Sequence, residues 1–237
     1  MSIIAKPDIG RLFDRIAGTY DSLNHLLSLG IDRKWRRKAV KGMGKGGDIL
    51  DVAIGTADLT LELLHQGKAA KVTGIDLSEN MMAIGREKVS RAGLGGKVEF
   101  IPGSALQMPF KGSSFDAVTC AYGVRNFSDP DKGLEEMYRV LKDGGELMIL
   151  EFSYPENPVV RWTYDLYFSH ILPFVGRALS KDRTAYTYLN RSVKGFFWGE
   201  EMCRHLRDAG FTVTECRPLS FGITTIYRAE KPNNATL

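Results

Sequence analysis

Short apolar runs alternate with longer stretches of helical periodicity through the middle of the chain, as repeated strand–helix units do. The runs predict strands at 48–53, 71–76, 97–101, 115–121 and 145–151. The periodic stretches predict helices at 57–66, 79–92 and 130–141. Asp129 is a candidate N-cap for the last helix, with Pro130 at its first position, and Asp143-Gly144-Gly145 predicts its end. The alternation predicts an α/β fold with a doubly wound, mostly parallel sheet.

The pattern changes on both sides of these units. Upstream, apolar residues at helical spacing predict helices across 10–42, of which the segment 32–41 is strongly basic. Downstream, residues 157–198 are rich in aromatic residues and have few strand signals, which predicts a helical insertion. The remaining elements are a predicted helix at 199–209 and predicted strands near 211–217 and 221–228. This closing hairpin would bring the sheet to seven strands.

One domain accounts for the length of the chain. Its 237 residues, 43% of them hydrophobic, suffice for one sizeable α/β core with additions. We expect an N-terminal helical cap (1–45), a ligand-binding core (46–151), a helical insertion (152–198), and a closing helix and hairpin (199–231).

Composition argues against several classes of protein. No apolar run reaches the roughly 20 residues that span a bilayer, and the N-terminus has no signal-peptide pattern. Three cysteines, at 120, 203 and 216, predict reduced thiols in a cytoplasmic protein and neither a disulfide framework nor a zinc site. A net charge of +4 is too mild to indicate nucleic acid by itself.

Two apolar runs associated with carboxylates carry the most information about chemistry. The first run contains Asp51 and leads into the small-residue turn 53–58, and the second, Val72–Ile75, ends at Asp76. In α/β sheets, small residues let the backbone approach a nucleoside, and the second acid takes the ribose hydroxyls. The alternative is an ordinary turn between a strand and a helix.

The turn favours S-adenosylmethionine over a dinucleotide. A dinucleotide site needs G-x-G-x-x-G, and of those three glycines the turn keeps only Gly55. Asp58 would also place a negative charge where a pyrophosphate should sit. A sulfonium nucleoside is cationic and has no phosphate, so acids near the turn are tolerated.

The residues that follow strand 115–121 should face the reacting group, because ligands lie outside the carboxyl ends of such strands. N-methyltransferases of bases usually have an Asn/Asp-Pro-Pro-aromatic turn there, whereas this chain has Gly123-Val-Arg-Asn126. A cysteine nucleophile for pyrimidine chemistry would follow a proline, but Cys120 follows Thr119 inside the strand. A nucleic-acid substrate is therefore disfavoured.

Three blocks of sequence carry a more specific resemblance: Tyr20–Trp35, Tyr122–Asn126 and Arg139–Ser153. A weaker block combines Tyr164–Pro173 with Tyr186–Leu189. Across nearly its whole length the chain resembles the ubiquinone/menaquinone biosynthesis C-methyltransferases, and among them most resembles those that act on demethylmenaquinone. It departs from that family at Ala57, where glycine is usual.

The resemblance implies a class I S-adenosylmethionine-dependent methyltransferase fold. It also implies methyl transfer from S-adenosylmethionine to the ring carbon of a demethylmenaquinol, a 2-polyprenyl-1,4-naphthoquinol, in menaquinone biosynthesis. Two alternatives stay open. One is an enzyme that also serves the ubiquinone branch, and the other is a non-catalytic S-adenosylmethionine-binding or quinone-assembly protein.

The expected cofactor-binding residues follow the first three strands, and they are Asp51, Gly55, Thr56, Asp76, Leu77, Ser104 and Ala105. Thr56 should lie near the methionine part, Asp76 on the ribose, and Ser104 with Ala105 beside the adenine. As alternatives, Asp76 caps the helix after Ser78, and Ser104 is an ordinary loop hydroxyl.

Arg125 and Asn126 are the expected catalytic residues, from their place after a strand end and from the resemblance. Arg125 would stabilise phenolate charge and Asn126 would orient an oxygen or a water. Arg125 is a poor base because its pKa exceeds ~12. The alternative is that Arg125 pairs with a surface acid and Asn126 shapes the loop.

Tyr20, Asn24 and His170 are the expected contacts of the quinol. Tyr20 is equally compatible with a core position on its helix. His25 and His170 are the candidate general bases, although a lone histidine in a helix is more often structural. The histidines have no metal-ligand spacing, so no metal site is expected.

Partners other than the quinol are less defined. The aromatic insertion is compatible with an isoprenoid groove or with a helical core. The basic helix 33–41 is compatible with contact to an anionic membrane at its inner face or with a solvated surface. A homodimer stays open.

Overall fold

The centre of the protein is a seven-stranded sheet in the order β3-β2-β1-β4-β5-β7-β6. The computed structural model describes residues 9–44, 47–167, 188 and 191–233. The strands are β1 Asp48–Val52, β2 Lys71–Asp76, β3 Val98–Pro102, β4 Phe115–Ala121, β5 Leu141–Phe152, β6 Thr212–Leu219 and β7 Thr224–Glu230. The first five are parallel, and β7 runs antiparallel to both β5 and β6. The predicted doubly wound, mostly parallel sheet is confirmed.

The described helices are α1 Ile9–Leu27, α2 Ile31–Lys41, α3 Asp58–His65, α4 Glu79–Arg91, α5 Pro130–Val140, α6 Pro158–Leu166 and α7 Glu200–Asp208. The basic segment forms α2, as predicted. None of the helices in the described parts of the chain has the length and apolarity that a membrane crossing requires. The division into cap, core, insertion and closing elements stays a prediction, since residues 168–187 and 189–190 of the insertion lie outside the described residues.

Helix α5 begins where the sequence predicts and ends earlier. The Asp129 side chain accepts a hydrogen bond from the Lys132 N–H, and Pro130 opens the helix. Its last residue, Val140, lies one residue before the predicted bound, and the stop signal at 143–145 falls inside β5, which already begins at Leu141. Leu141 is buried and pairs with Phe115, whereas the next pair joins Ala117 to Glu146. The residues of β5 between these two pairings, 142–145, have no partner in the register with β4 and form an irregularity of the strand.

The strands of the closing hairpin begin and end one to three residues later than predicted. Strand β7 pairs with β5 from Phe152 opposite Thr224, so its start is set by the end of β5. The turn therefore falls at 220–222, where Ser220 and Phe221 both have positive φ, at 47° and 58°. Tertiary pairing sets this register, and local propensity does not.

The parallel strands are buried on both faces. Helices α2 and α3 cover one face, where Trp35, Val40 and Leu63 pack on the sheet. Helices α5 and α7 cover the other face, through residues such as Leu134 and Leu206. Two-sided burial explains why the strands read as continuous apolar runs.

Candidate active site

A cleft of ≈ 270 Å³ opens at the carboxyl ends of the parallel strands. The loops after β1, β2, β3 and β4 form its walls, and α1 crosses it with Ile9, Gly10, Phe13 and Tyr20. Strands β1 and β4 are neighbours in the sheet. The chain continues from β1 to β2 on one side and from β4 to β5 on the other. Such a switch point is where open α/β sheets bind ligands.

The turn between β1 and α3 has an unusual backbone. Ala53, Gly55 and Ala57 all have positive φ, at 57°, 54° and 64°. Gly55 adopts this conformation freely, whereas each alanine carries a cost of about 1 kcal/mol. Ala57 stands where the family that this sequence resembles usually has glycine. The positive φ at this position explains why glycine is usual there. Gly85 of α4 lets the helix approach, since a Cβ there would lie 3.2 Å from the Gly55 carbonyl oxygen.

Asp76 lines the cleft at the end of β2. Its carboxylate accepts hydrogen bonds from the N–H groups of Gly55, at 2.8 Å, and Ser78, at 2.9 Å. Burial raises the pKa of Asp76, and these two hydrogen bonds oppose the rise. Ser78 is the N-cap of α4, accepting a bond from Met81, so the capping role considered for Asp76 belongs to Ser78. Leu77 lines the cleft beside Asp76.

Asp51 and Thr56 lie outside the cleft lining, unlike the other predicted cofactor residues. Asp51 is 1% exposed and accepts bonds from Thr60, at 2.6 Å, and Thr119, at 2.9 Å. Burial raises its pKa to about 6. Thr56 donates to the Asp21 carboxylate of α1 at 2.6 Å. In this structure both side chains hold neighbouring elements together.

The loop after β3 forms the opposite wall of the cleft, through Gly103, Ser104, Ala105 and Leu106. The Ser104 hydroxyl accepts a hydrogen bond from the Leu106 N–H at 3.1 Å. Ser104 and Ala105 thus line the cleft together with the loop after β4.

The loop after β4 turns sharply. Tyr122 has φ 59°, and its carbonyl oxygen accepts bonds from the side chains of Arg125 and Asn126. Gly123 passes so close to the β1 turn that a Cβ there would lie 2.8 Å from the Ala53 Cβ. Asn126 lines the cleft, and Arg125 lies directly behind the lining.

Arg125 is held by an acid that the sequence analysis did not single out. Its guanidinium lies 2.7 Å from Glu151, the two side chains being 5% and 2% exposed. It also stacks over the Phe152 ring at 5.2 Å. Burial is the largest influence on the pKa of Arg125 and would lower it, but the charge and hydrogen bond of Glu151, together with Tyr20 and Tyr188, outweigh burial and raise the pKa. The alternative considered for Arg125 was a pairing with a surface acid, whereas the acid that it pairs with is buried.

One donor of Arg125 has no partner. Its Nε is buried and makes no hydrogen bond to any residue that the structure describes. A buried N–H of a charged group is costly when unpaired. Among the described residues, this Nε–H is thus a buried charged donor left without an acceptor.

Tyr20 and Asn24 join Arg125 and Asn126 in one cluster. Burial raises the pKa of Tyr20, while the Arg125 charge and a hydrogen bond with Asn24 oppose the rise. Tyr188, from the predicted insertion, donates to the Asn126 side chain at 3.1 Å. Four of the five residues predicted for the quinol end are thus brought together. The fifth, His170, lies outside the described residues.

The sequence analysis missed the ties that hold α1 over the cleft. Lys88 of α4 binds Asp21 of α1 at 2.8 Å and also binds Asp58. Asp14 of α1 accepts bonds from the Ser78 hydroxyl and the Asn80 N–H. In the sequence these are ordinary polar and charged residues, and only the packing of α1 on α4 reveals the ties between them.

One cluster of acids and a histidine deserves comparison with a metal site. His25, Asp32 and Asp58 lie within reach of a common point. Arg36 lies 2.5 Å from Asp32 and 2.9 Å from Asp58, so its positive charge already balances the acids. Burial would raise the pKa of Asp32, but the Ser28 hydrogen bond and the Arg36 and His25 charges outweigh it and lower the pKa.

Solved structures of low sequence identity share this fold. The cyclase SpnF aligns with a TM-score of 0.70 at 18% identity, covering 95% of this chain and 96% of the other. A phosphoethanolamine N-methyltransferase from Haemonchus contortus, solved in complex with S-adenosyl-L-methionine, aligns with a TM-score of 0.67 at 16% identity. The alignment covers 97% of this chain and 61% of that one. At these identities the similarity establishes the fold alone.

Sequence comparison is more specific. A demethylmenaquinone methyltransferase from Bacteroides fragilis is 44% identical over 94% of this chain and 92% of its own length. The ubiquinone/menaquinone biosynthesis C-methyltransferase UbiE from Geobacter sulfurreducens is 44% identical over 93% of this chain and 87% of its own. The family model for ubiE/COQ5 methyltransferases matches residues 2–231. The expected resemblance is confirmed, and the chain belongs to the ubiE/COQ5 methyltransferase family.

Proposed function

We propose that the protein transfers a methyl group from S-adenosylmethionine to a ring carbon of demethylmenaquinol, which gives menaquinol. The observation that carries this proposal is the 44% identity, over nearly the whole of both chains, with a protein named demethylmenaquinone methyltransferase. The fold alone would not suffice, since a cyclase shares it.

The cleft suits S-adenosylmethionine. Asp76 uses its carboxylate for two backbone N–H groups and keeps lone pairs for the two ribose hydroxyls. Ser104 and Ala105 would flank the adenine. Asp76 in the lining, and Asp14 hydrogen-bonded to the lining residue Ser78, suit a cationic nucleoside better than a pyrophosphate. When bound, S-adenosylmethionine supplies an electrophilic methyl group.

At the quinol end, the protein must hold the ring and stabilise negative charge. A hydroquinone carbon is nucleophilic when a phenol oxygen has lost its proton. The Arg125 guanidinium would stabilise that oxygen through its unpartnered Nε–H, in a site where burial strengthens the interaction. Asn126, held by Tyr122 and Tyr188, would orient the ring oxygen or a water. Glu151 keeps Arg125 charged and in place.

Tyr20 and Asn24 would complete the quinol site from α1. Both belong to the helix that crosses the cleft, so the site is closed only when α1 is docked. A closed site excludes water from the phenolate and fixes the ring carbon in line with the methyl group, which supplies much of the rate.

A second candidate is an enzyme that also methylates the ubiquinone precursor. The Geobacter sulfurreducens relative, whose name includes both quinones, is as similar to this chain as the Bacteroides fragilis protein. The two substrates present a similar ring face, so the cleft admits both on chemical grounds.

The substrate carries an apolar prenyl tail, so we expect the protein to meet it at a membrane. The exposed face of α2 has five cations, Arg33, Lys34, Arg37, Lys38 and Lys41. Its only acid, Asp32, is buried. Such a face is attracted to anionic lipid headgroups. A homodimer stays a prediction.

The decisive experiment incubates the purified protein with methyl-labelled S-adenosylmethionine and either demethylmenaquinol or the demethylated ubiquinol. Label in the naphthoquinol alone supports the first proposal, and label in both lipids supports the second. Binding of S-adenosylmethionine by calorimetry with no label in either lipid would favour the non-catalytic alternative and contradict both.

A further inference from the structure

The turn between β6 and β7 presents an aromatic ring to solvent at an energetic cost. Ser220 and Phe221 have φ 47° and 58°, a left-handed conformation that bulky residues rarely adopt. The Phe221 side chain is 83% exposed, so little packing compensates. Strained backbone in an exposed segment is a pointer to function.

Two neighbouring elements also present exposed apolar side chains. Helix α6 presents Val159, Trp162 and Leu166, which share one face at helical spacing and are 71%, 65% and 44% exposed. The turn before α2 presents Leu29, and the first residue of α2 is Ile31; these side chains are 80% and 37% exposed. Most residues of this size are buried in a soluble domain, and an exposed group marks an interaction site.

Direct contacts place the three elements side by side. The Trp35 indole of α2 donates to the Ser220 hydroxyl at 2.8 Å. Gly222 lies against Pro155, since a Cβ on Gly222 would be 3.6 Å from the Cα of Pro155. Pro155 belongs to the segment that leads into α6. Trp35 also packs on Phe152, the last residue of β5. The turn, α2 and the segment that leads into α6 therefore meet at the end of β5.

This region lies at the same edge of the sheet as the cleft. Phe152, opposite Thr224 at the start of β7, ends a strand that is parallel to β4. The turn at 220–222 is therefore at the carboxyl edge, where the loop after β4 also lies. A tail leaving the quinol site would emerge at this edge.

We propose that these residues form a lipid-docking surface, in which Phe221 and Trp162 enter the headgroup boundary of an anionic bilayer and the cations of α2 rest on the headgroups. The inference rests on the proposed function, because a polyprenyl quinol resides in such a bilayer. The charge of α2 favours this occupant over a second copy of the chain, which would bring the same five cations face to face. An apolar anchor beside a basic helix face is the composition of peripheral membrane surfaces.

The test uses the whole protein with vesicles of phosphatidylcholine alone and of phosphatidylcholine with phosphatidylglycerol. The wild type should sediment with the anionic vesicles, and less so at high salt. Phe221→Gly should weaken this binding about tenfold or more, because a buried phenyl ring is lost. The Lys34→Gln/Lys38→Gln double variant should weaken it about 25-fold in total, at about fivefold per cation.

Two controls separate docking from folding. Phe221→Gly relieves the positive φ, so it should unfold at the same or a higher temperature than the wild type. Lys132 is an exposed cation of α5, on the other face of the sheet, so Lys132→Gln should leave vesicle binding unchanged. Wild-type-like vesicle binding by Phe221→Gly, or no binding by the wild type, would overturn the proposal. A change from dimer to monomer in Phe221→Gly, measured by light scattering, would assign the surface to a second copy and overturn it as well.

A tail-less demethylnaphthoquinol in solution distinguishes this proposal from the function itself. Phe221→Gly should methylate the tail-less compound at the wild-type rate but methylate the long-chain quinol in vesicles more slowly. If the wild type fails on the tail-less compound and on the lipid, the proposed function is wrong, whatever the vesicles show. Equal rates of wild type and variant on the lipid would overturn the docking surface alone.

Discussion

The Glu151 carboxylate lies 2.7 Å from the Arg125 guanidinium, although 26 residues separate the two along the chain. Neighbouring strands β4 and β5 bring them together at the carboxyl edge of the sheet. Glu151 also accepts the Arg125 backbone N–H, so one acid fixes both the loop and the side chain. This pair connects the sheet core to the proposed quinol site.

Glu151→Gln should lower turnover by about 100-fold, because a slight misplacement of Arg125 is sufficient for such a loss. The affinity for S-adenosylmethionine should change little. Steady-state kinetics and calorimetry measure the two effects. Glu146→Gln is the matched control, since Glu146 pairs with the buried Arg228 at 2.9 Å at the opposite end of β5. If both variants lost turnover equally per folded molecule, Glu151 would be structural only.

Asp76→Ala should weaken S-adenosylmethionine binding by about 10- to 100-fold, the effect of losing hydrogen bonds to a charged group. Asp51→Asn changes the neighbouring buried acid, which lies outside the cleft lining. The affinity of the Asp51→Asn variant for S-adenosylmethionine should stay near the wild-type value. Calorimetric titration of both variants decides whether Asp51 takes part in binding, and wild-type affinity in Asp76→Ala would contradict the ribose role.

The buried Asp51 should make stability depend on pH. Its pKa is about 6 in the folded protein against 3.8 for the free side chain. The folded state holds the Asp51 proton more tightly than the unfolded chain does. The stabilisation that results is fully present below the pKa of Asp51 in the unfolded chain, and it is lost as the pH rises through its pKa in the folded protein. The free energy of unfolding, relative to Asp51→Asn, should fall by about 2 kcal/mol from about pH 4.5 to about pH 7. Urea titrations at several pH values measure it, and a flat difference would refute it.

Gly123→Ala should disturb the switch point. An added Cβ would lie 2.7 Å from the Cys120 sulfur and 2.8 Å from the Ala53 Cβ, so the two loops must separate. We expect a loss of about 1–3 kcal/mol in unfolding free energy and weaker cofactor binding. Gly18→Ala is the control, because nothing lies within 4 Å of its Cβ position in α1. It should stabilise the protein by about 0.5–1 kcal/mol.

The parts of the site that follow strand ends were predictable from the sequence. Asp76, Gly55 and Asn126 all line the cleft, as their places after predicted strands imply. Tyr20 and Asn24 were predicted only from the family resemblance, because the helical pattern of a segment does not show what the polar face of that helix contacts. Glu151 was not predicted as a partner of Arg125, since a single acid at a strand end has no local signature.

By itself, the sequence determined the elements and their order. Period-two and period-3.6 patterns record which side chains are buried, and burial is a local property of each segment. Small residues and acids after the strands likewise marked a nucleoside turn. Only the tertiary structure decided the hairpin register, the ties of α1 to α4, the Arg125–Glu151 pair and the exposure of Phe221. These depend on which strands and helices become neighbours, and that choice depends on packing between segments far apart in the chain.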